Sequence, residues 1–253
     1  MGPVYDDLAY FRHHEVTRKI AGYRRVLLEA ERLLGRKGRI LDIGAGRGEA
    51  LVAARERGWD AEGTETSSSF AEYASRTHGV MVHVGTLERL DLPRGSYDLV
   101  ILGAVLNHTY DPLALLRQAR RLLCDGGLCW IEVPNENALF FRVGNFVHHL
   151  RGRDWVIHLS PTFEPYTVHG FARSSLQRAL TVSGFRPLSI RTQSGRPMTN
   201  ARGVRALFEV AVLTLVERAA LALGSGRIMV AWAKASEIYR VPQSADPVTS
   251  GPV

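Results

Sequence analysis

Residues 39–48 read Arg-Ile-Leu-Asp-Ile-Gly-Ala-Gly-Arg-Gly, a short apolar strand that runs straight into a turn with glycine at every second position. Such a turn brings bare backbone to a place where any Cβ would collide with a ligand. Seventeen residues past Gly48 a second apolar stretch ends in Gly63-Thr64-Glu65. An acid at the tip of the next strand is placed to accept hydrogen bonds from ribose hydroxyls. Together the two features hold the chain to an α/β fold with a nucleoside-sized crevice at its strand ends.

The rest of the chain keeps that rhythm. Apolar spacing predicts a helix over 7–34, then strand 39–43, helix 48–57, strand 59–64, helix 67–77 and strand 80–84. Strand 97–103, helix 111–123 and strand 127–133 follow. Helix 172–183, strand 185–191, a long apolar helix over 203–223 and strand 227–234 complete the pattern. Strands alternating with helices imply βαβ units, right-handed crossovers and a ligand along the edge of strand C-termini. The expected fold is Rossmann-like and doubly wound: a mostly parallel seven-stranded sheet with an N-terminal helix and a cap over the strand ends. One domain spans 1–238, with a helical lid at 1–36, a substrate-side cap at 135–170 and a helical insert at 195–225. Residues 136–170 are rich in aromatics and histidines without clean periodicity, and the proline-bearing tail 239–253 is expected to be disordered.

Composition narrows the function classes. The net charge of +7 comes almost wholly from scattered arginine, since only Lys19, Lys37 and Lys234 are lysines. No run of basic residues marks a nucleic-acid footprint, and nucleic acid is not an expected partner. Cys124 and Cys129 suit neither a disulfide framework nor a zinc site, and no other cluster calls for a metal. The opening residues lack a basic and then apolar leader, so a cytoplasmic location is expected. The longest uncharged run in helix 203–223, Val210 to Val216, is seven residues, far short of the roughly 18–20 a bilayer span requires. Its wide apolar face suits core packing, a homodimer contact or a peripheral membrane contact.

The glycine spacing separates two kinds of cofactor. A dinucleotide turn places its third glycine three residues after the second, whereas Gly48 follows Gly46 by two. The chain instead resembles the class I S-adenosylmethionine-dependent methyltransferases, in the group of ubiquinone-type and sugar-type small-molecule enzymes. Leu-Asp-Ile-Gly-Ala-Gly-Arg-Gly resembles their first motif and Gly63-Thr64-Glu65 their second. Val84-Gly85-Thr86-Leu87-Glu88 resembles the segment beside adenine, and Gly95-Ser96-Tyr97-Asp98-Leu99-Val100 the start of the fourth strand. Val105-Leu106-Asn107-His108 resembles its strand-end LEH, Leu122 to Gly127 the LLKPGG turn, and Val133-Pro134-Asn135 the end of strand five. Asn107 stands where the family commonly has Glu, and Asp125 where it has Pro.

The resemblance implies S-adenosylmethionine as cofactor and a role for each matching residue. Gly44, Ala45, Gly46 and Gly48 would face the cofactor, with Asp42 ordering the loop by accepting its N–H groups. Glu65 would hold the ribose, Thr86 and Leu87 the adenine, and Gly103, Ala104 and Val105 the methionine portion. The expected reaction is in-line methyl transfer to a hydroxyl of a small molecule or glycan, with His108 or His169 as general base. Transfer to nitrogen or carbon, or cofactor binding without catalysis, are the alternatives. Asn107, Asn135, Trp155, Glu164 and Tyr166 are the candidate acceptor contacts, and Tyr5, Tyr10 and Arg18 the lid residues.

Overall fold

The computed structural model describes residues 16–153, 167–194 and 203–236. Strands β1 (Arg39–Ile43), β2 (Asp60–Glu65), β3 (Met81–Val84), β4 (Tyr97–Gly103), β5 (Leu123–Pro134), β6 (Phe185–Gln193) and β7 (Ile228–Ala235) make one sheet. Their order is β3-β2-β1-β4-β5-β7-β6, with parallel pairing from β3 through β5 and β7 antiparallel to both of its neighbours. The order reverses between β1 and β4, and such a switch opens a crevice outside the strand C-termini. The glycine turn leaves β1 at that switch.

The helices are α1 (Val16–Leu34), α2 (Glu49–Glu56), α3 (Ser68–His78), α4 (Pro112–Leu122), α5 (Leu139–Leu150), α6 (Arg173–Val182) and α7 (Gly203–Ala222). Local chemistry sets several of their ends. Asp111 caps α4 by accepting from Ala114 N (2.9 Å), with Pro112 at the first helical position where its missing N–H costs nothing. Gly79 ends α3 in the left-handed conformation that glycine adopts without strain.

Strand side chains alternate between two cores. Leu41, Ile43, Val100, Leu102, Ile131 and Val133 pack under α4 and α6 through Leu116, Leu176 and Leu180. On the other face Ile40, Leu99, Ile101 and Trp130 meet Leu27 and Ala30 of α1 and Ala50, Ala53 and Ala54 of α2. Burial on both faces is why β1 and β4 read as near-continuous apolar runs. Their bounds coincide with the sequence reading.

Two elements depart from it. β5 begins at Leu123 rather than 127, because the chain pairs early with Tyr97 and then slips register before Leu99–Leu128. The aperiodic-looking cap contains the regular helix α5, whose Val143, Phe146 and Leu150 repeat at helical spacing but face outward. The first part of the lid, much of the cap, the start of the insert and the tail lie outside the described residues.

Candidate functional site

The glycine turn leaves β1 through Gly44 (φ 72°) and Gly46 (φ 54°), conformations that cost any other residue about 1 kcal/mol or more. A Cβ on Gly44 would lie 2.5 Å from Val105 Cγ2, so β4's terminal turn packs against bare backbone. A Cβ on Gly46 would meet nothing within 4 Å, which leaves that backbone facing open space. The turn is held from β2: Gly44 N and Ala45 N donate to Thr64 O (2.8 and 2.9 Å).

The carboxylate that orders the loop belongs to Glu65. Its Oε2 accepts from Gly46 N (2.8 Å), while Oε1 accepts from Ser67 N (2.9 Å) and Thr66 Oγ1 (3.3 Å). Asp42 was expected to do this work and does not, because the loop's amides turn toward β2. Instead Asp42 is 3% exposed, feels the charges of Glu49 and Glu65, and shares the influence of Lys19 with Glu132 on β5. Burial, and then the charges of Glu49 and Glu65, push the Asp42 carboxyl well above its ordinary range. Burial raises Glu132 as well. One cation opposes both shifts: Lys19 of α1, whose Nζ lies 4.0 Å from Glu49 Oε1. Arg47 of the glycine turn meets the same Glu49 oxygen at 3.1 Å.

Helix α1 roofs this crevice with residues other than those expected. Arg18 is exposed, and Lys19 and Tyr23 turn inward. Tyr23 packs edge-on against Trp130 (5.8 Å), and a Cβ on Gly103 would sit 2.6 Å from its hydroxyl. Ala104 beyond it has φ 57°, the one non-glycine positive φ among the described residues, with its N–H given to Glu132 O (2.9 Å). Strain of that kind, of order 1–3 kcal/mol, persists only where its surroundings enforce it, and it gathers at functional sites.

The two histidines meet through Asn107. That residue is buried, its carbonyl accepts from Val168 N (2.8 Å) and His169 N (3.1 Å), and its Nδ2 lies 3.0 Å from His108 Nε2. His169 Nε2 faces the Tyr110 carbonyl at 3.1 Å. A carbonyl only accepts, so Nε2 is the donor of this bond, and in the neutral ring Nδ1 carries the lone pair.

Other expected residues are placed differently. The side chain of Asn135 is engaged on both sides, donating to Gly226 O (2.8 Å) and accepting from Asn137 N (3.1 Å), so it ties β5 to the start of β7 rather than reaching an acceptor. Thr86 and Leu87 follow β3 beside Glu65, since Val84 pairs with Glu65 and Gly85 N donates to Glu65 O (2.9 Å). Thr86 is exposed and Leu87 half-buried against the core. Trp155, Glu164, Tyr166, Tyr5 and Tyr10 lie outside the described residues. Lys19, Tyr23, Glu49 and Glu132 were not singled out from the sequence. Only Glu132 left a trace there, as a lone acid inside the apolar run 128–133.

Residues 11–190 match the family model described as a methyltransferase domain. The chain is 27% identical over 168 residues to a ubiquinone biosynthesis O-methyltransferase of Bordetella avium, a match covering 64% of this chain and 67% of that protein. It is 31% identical over 131 residues to a Mycolicibacterium smegmatis protein called "Probable S-adenosylmethionine-dependent methyltransferase", covering 50% of this chain and 46% of that one. The match thus spans about two thirds of the first relative and under half of the second. In fold, the chain superposes on a SAM dependent methyltransferase from Archaeoglobus fulgidus with a TM-score of 0.62 and 19% identity, covering 90% of this chain and 100% of the other.

Proposed function

We propose that this chain, which belongs to the methyltransferase-domain family and takes S-adenosylmethionine as its donor, methylates a hydroxyl oxygen of a small molecule or glycan. The observation that carries the reading is the set of carboxyl groups gathered by the glycine turn at the β1–β4 switch; the base assignment rests separately on His169, whose Nε2 lies against the Tyr110 carbonyl.

The residues fit the cofactor. Open space over Gly46 admits its body, and Asp42, Glu65 and Glu132 favour its positive charge. Glu65 has lone pairs left for ribose hydroxyls while it braces the loop. Thr86 and Leu87 would flank the adenine, and the Gly103–Val105 turn under Tyr23 the methionine portion. The cofactor, when bound, supplies a methyl group already activated on a sulfonium. The protein holds the acceptor hydroxyl in line, excludes water under α1, and removes the hydroxyl proton.

His169 is the base in this scheme. Its Nε2–H is committed to Tyr110 O, which fixes the ring and leaves Nδ1 to accept the proton. His108, held against Asn107, orients the acceptor. Kinship with an O-methyltransferase of ubiquinone biosynthesis supports oxygen as the target.

Two measurements test the reading. Calorimetric titration should give 1:1 binding of S-adenosylmethionine, and an acceptor screen with methyl-labelled cofactor should place the label on oxygen by mass spectrometry. Replacing His169 by Ala should lower kcat about 10²–10⁴-fold with little change in cofactor affinity. Label found on nitrogen or carbon, or an unchanged kcat, would overturn the hydroxyl and base assignments respectively.

A further inference from the structure

Helix α7 is built the wrong way round for a helix facing water. Glu217 is buried and held by Arg227 and by Ser194 Oγ (2.6 Å), and Ala220 is buried beside it. The same helix exposes Val212 and Leu215, with Leu223 just past its end; the last two are 70% and 73% exposed. Arg227 also stacks over Phe140 (4.5 Å) at the start of α5, which packs against α7. Helix α5 repeats the theme: Val143, Phe146 and Leu150, spaced three and four apart, form an outward stripe, with Phe146 61% and Leu150 69% exposed. Large apolar side chains exposed on two helices that pack together mark an interaction site rather than ordinary solvent-facing protein.

The charges around the stripes select the partner. Arg142, His149, Arg151 and Arg153 on and after α5, and Arg218 on α7, are all exposed. None of those arginines has an ion-pair partner among the described residues. α5 carries no acid, and the one described acidic side chain of α7 is turned inward. We infer that the α5–α7 pair docks on an anionic lipid surface, its leucines and phenylalanine entering the headgroup boundary and its arginines meeting lipid phosphates. A second copy of the chain fits less well, because a two-fold interface would set one arginine rim against another. No described helix is long and apolar enough to cross a membrane, so the contact is peripheral.

The position of the pair gives docking a consequence. Leu139 N donates to Ser225 O (3.0 Å) and Asn135 N to Arg227 O (2.8 Å), so both helices spring from the edge of the sheet that bears the crevice. Docking sets that edge beside the headgroups. Resting on the proposed transfer reaction, this makes the acceptor an amphiphile whose hydroxyl lies at the bilayer surface.

Vesicle flotation of the full chain tests docking, and needs neither cofactor nor acceptor. The chain should float with phosphatidylcholine vesicles that contain phosphatidylglycerol, stay behind with phosphatidylcholine alone, and be released in part by salt. Phe146→Ser with Leu215→Ser should reduce flotation about tenfold or more. Arg151→Gln with Arg153→Gln should weaken it and flatten its salt dependence. Calorimetry with S-adenosylmethionine, run on the same variants, should be unchanged, which separates loss of docking from loss of the cofactor site. Flotation that is absent, or equal in all variants, overturns the inference. So does a dimer in light scattering that the Phe146 and Leu215 pair dissociates.

Discussion

The carboxylates at the two edges of the sheet live in opposite electrostatic situations. Near the strand N-termini, Glu62 accepts from Arg39 (2.5 Å), His83 (2.6 Å) and the Tyr97 hydroxyl (2.8 Å). Asp98 there accepts from Arg36 and from Arg39 N (2.8 Å). Burial works to raise both groups, yet these donors hold each below its ordinary value. At the C-terminal edge burial works on Asp42 and Glu132 in the same way, but Lys19 alone opposes it and both rise. One edge supplies its own cations and is finished when the chain folds. The other leaves Asp42 and Glu132 opposed by Lys19 alone, an arrangement that favours a sulfonium in the proposed cofactor site.

The largest effect should come from breaking the finished edge. Glu62→Ala strands the buried Tyr97 hydroxyl and removes the shared acceptor of Arg39 and His83, costing about 3 kcal/mol of stability in urea unfolding. Cofactor affinity in the folded fraction should not change. Breaking the unfinished edge should do the reverse. Glu65→Ala removes the brace on Gly46 N and, with it, the proposed ribose acceptor, and should weaken S-adenosylmethionine by about 2 kcal/mol, roughly 30-fold by calorimetry, with a smaller loss of Tm. A variant that lost both properties equally would erase the distinction between the edges.

The smallest and sharpest test is pH. Asp42 has a folded pKa above its unfolded value near 3.8, so its contribution to stability is fully present below that value and is lost as pH rises through the folded one. Asp98 is displaced the other way. Its contribution is present above 3.8 and is lost as pH falls through the depressed folded value. Urea titrations across pH should therefore show two limbs of opposite slope. Asp42→Asn should shrink the falling limb, leaving the part that Glu132 contributes, stabilise the free protein by about 1 kcal/mol at neutral pH and weaken the cofactor severalfold.

This contrast between edges explains what could be read in advance. β1 and β4 were legible to the residue, because strands covered on both faces must be apolar throughout and glycine bounds them. The turn after β1 and the place of Glu65 at the tip of β2 were legible, because closely spaced glycines and an acid that ends a strand leave local marks. Lys19 and Glu132 were not. They meet only because β4 inserts between β1 and β5 and α1 crosses above, and no local spacing records such a neighbourhood. α5 was hidden for another reason. Its stripe has helical period, but Gly144 and the pair His148–His149 dilute it, and the stripe faces away from the core where amphipathic reasoning expects it. Asn135 sat at the right strand end for an acceptor contact, while its amide had already been claimed by Gly226 and Asn137.

The left-handed Ala104 has a consequence of its own. Glycine there would relax the backbone and should raise Tm by a degree or more, since an L-residue at φ 57° stores about 1 kcal/mol. The same exchange would let the hairpin-tight corner after β4 sample many shapes, blunting the aim of whatever lies under Tyr23. A sturdier protein that turns over more slowly is the expected outcome, and it would make this single methyl a spring kept wound for catalysis.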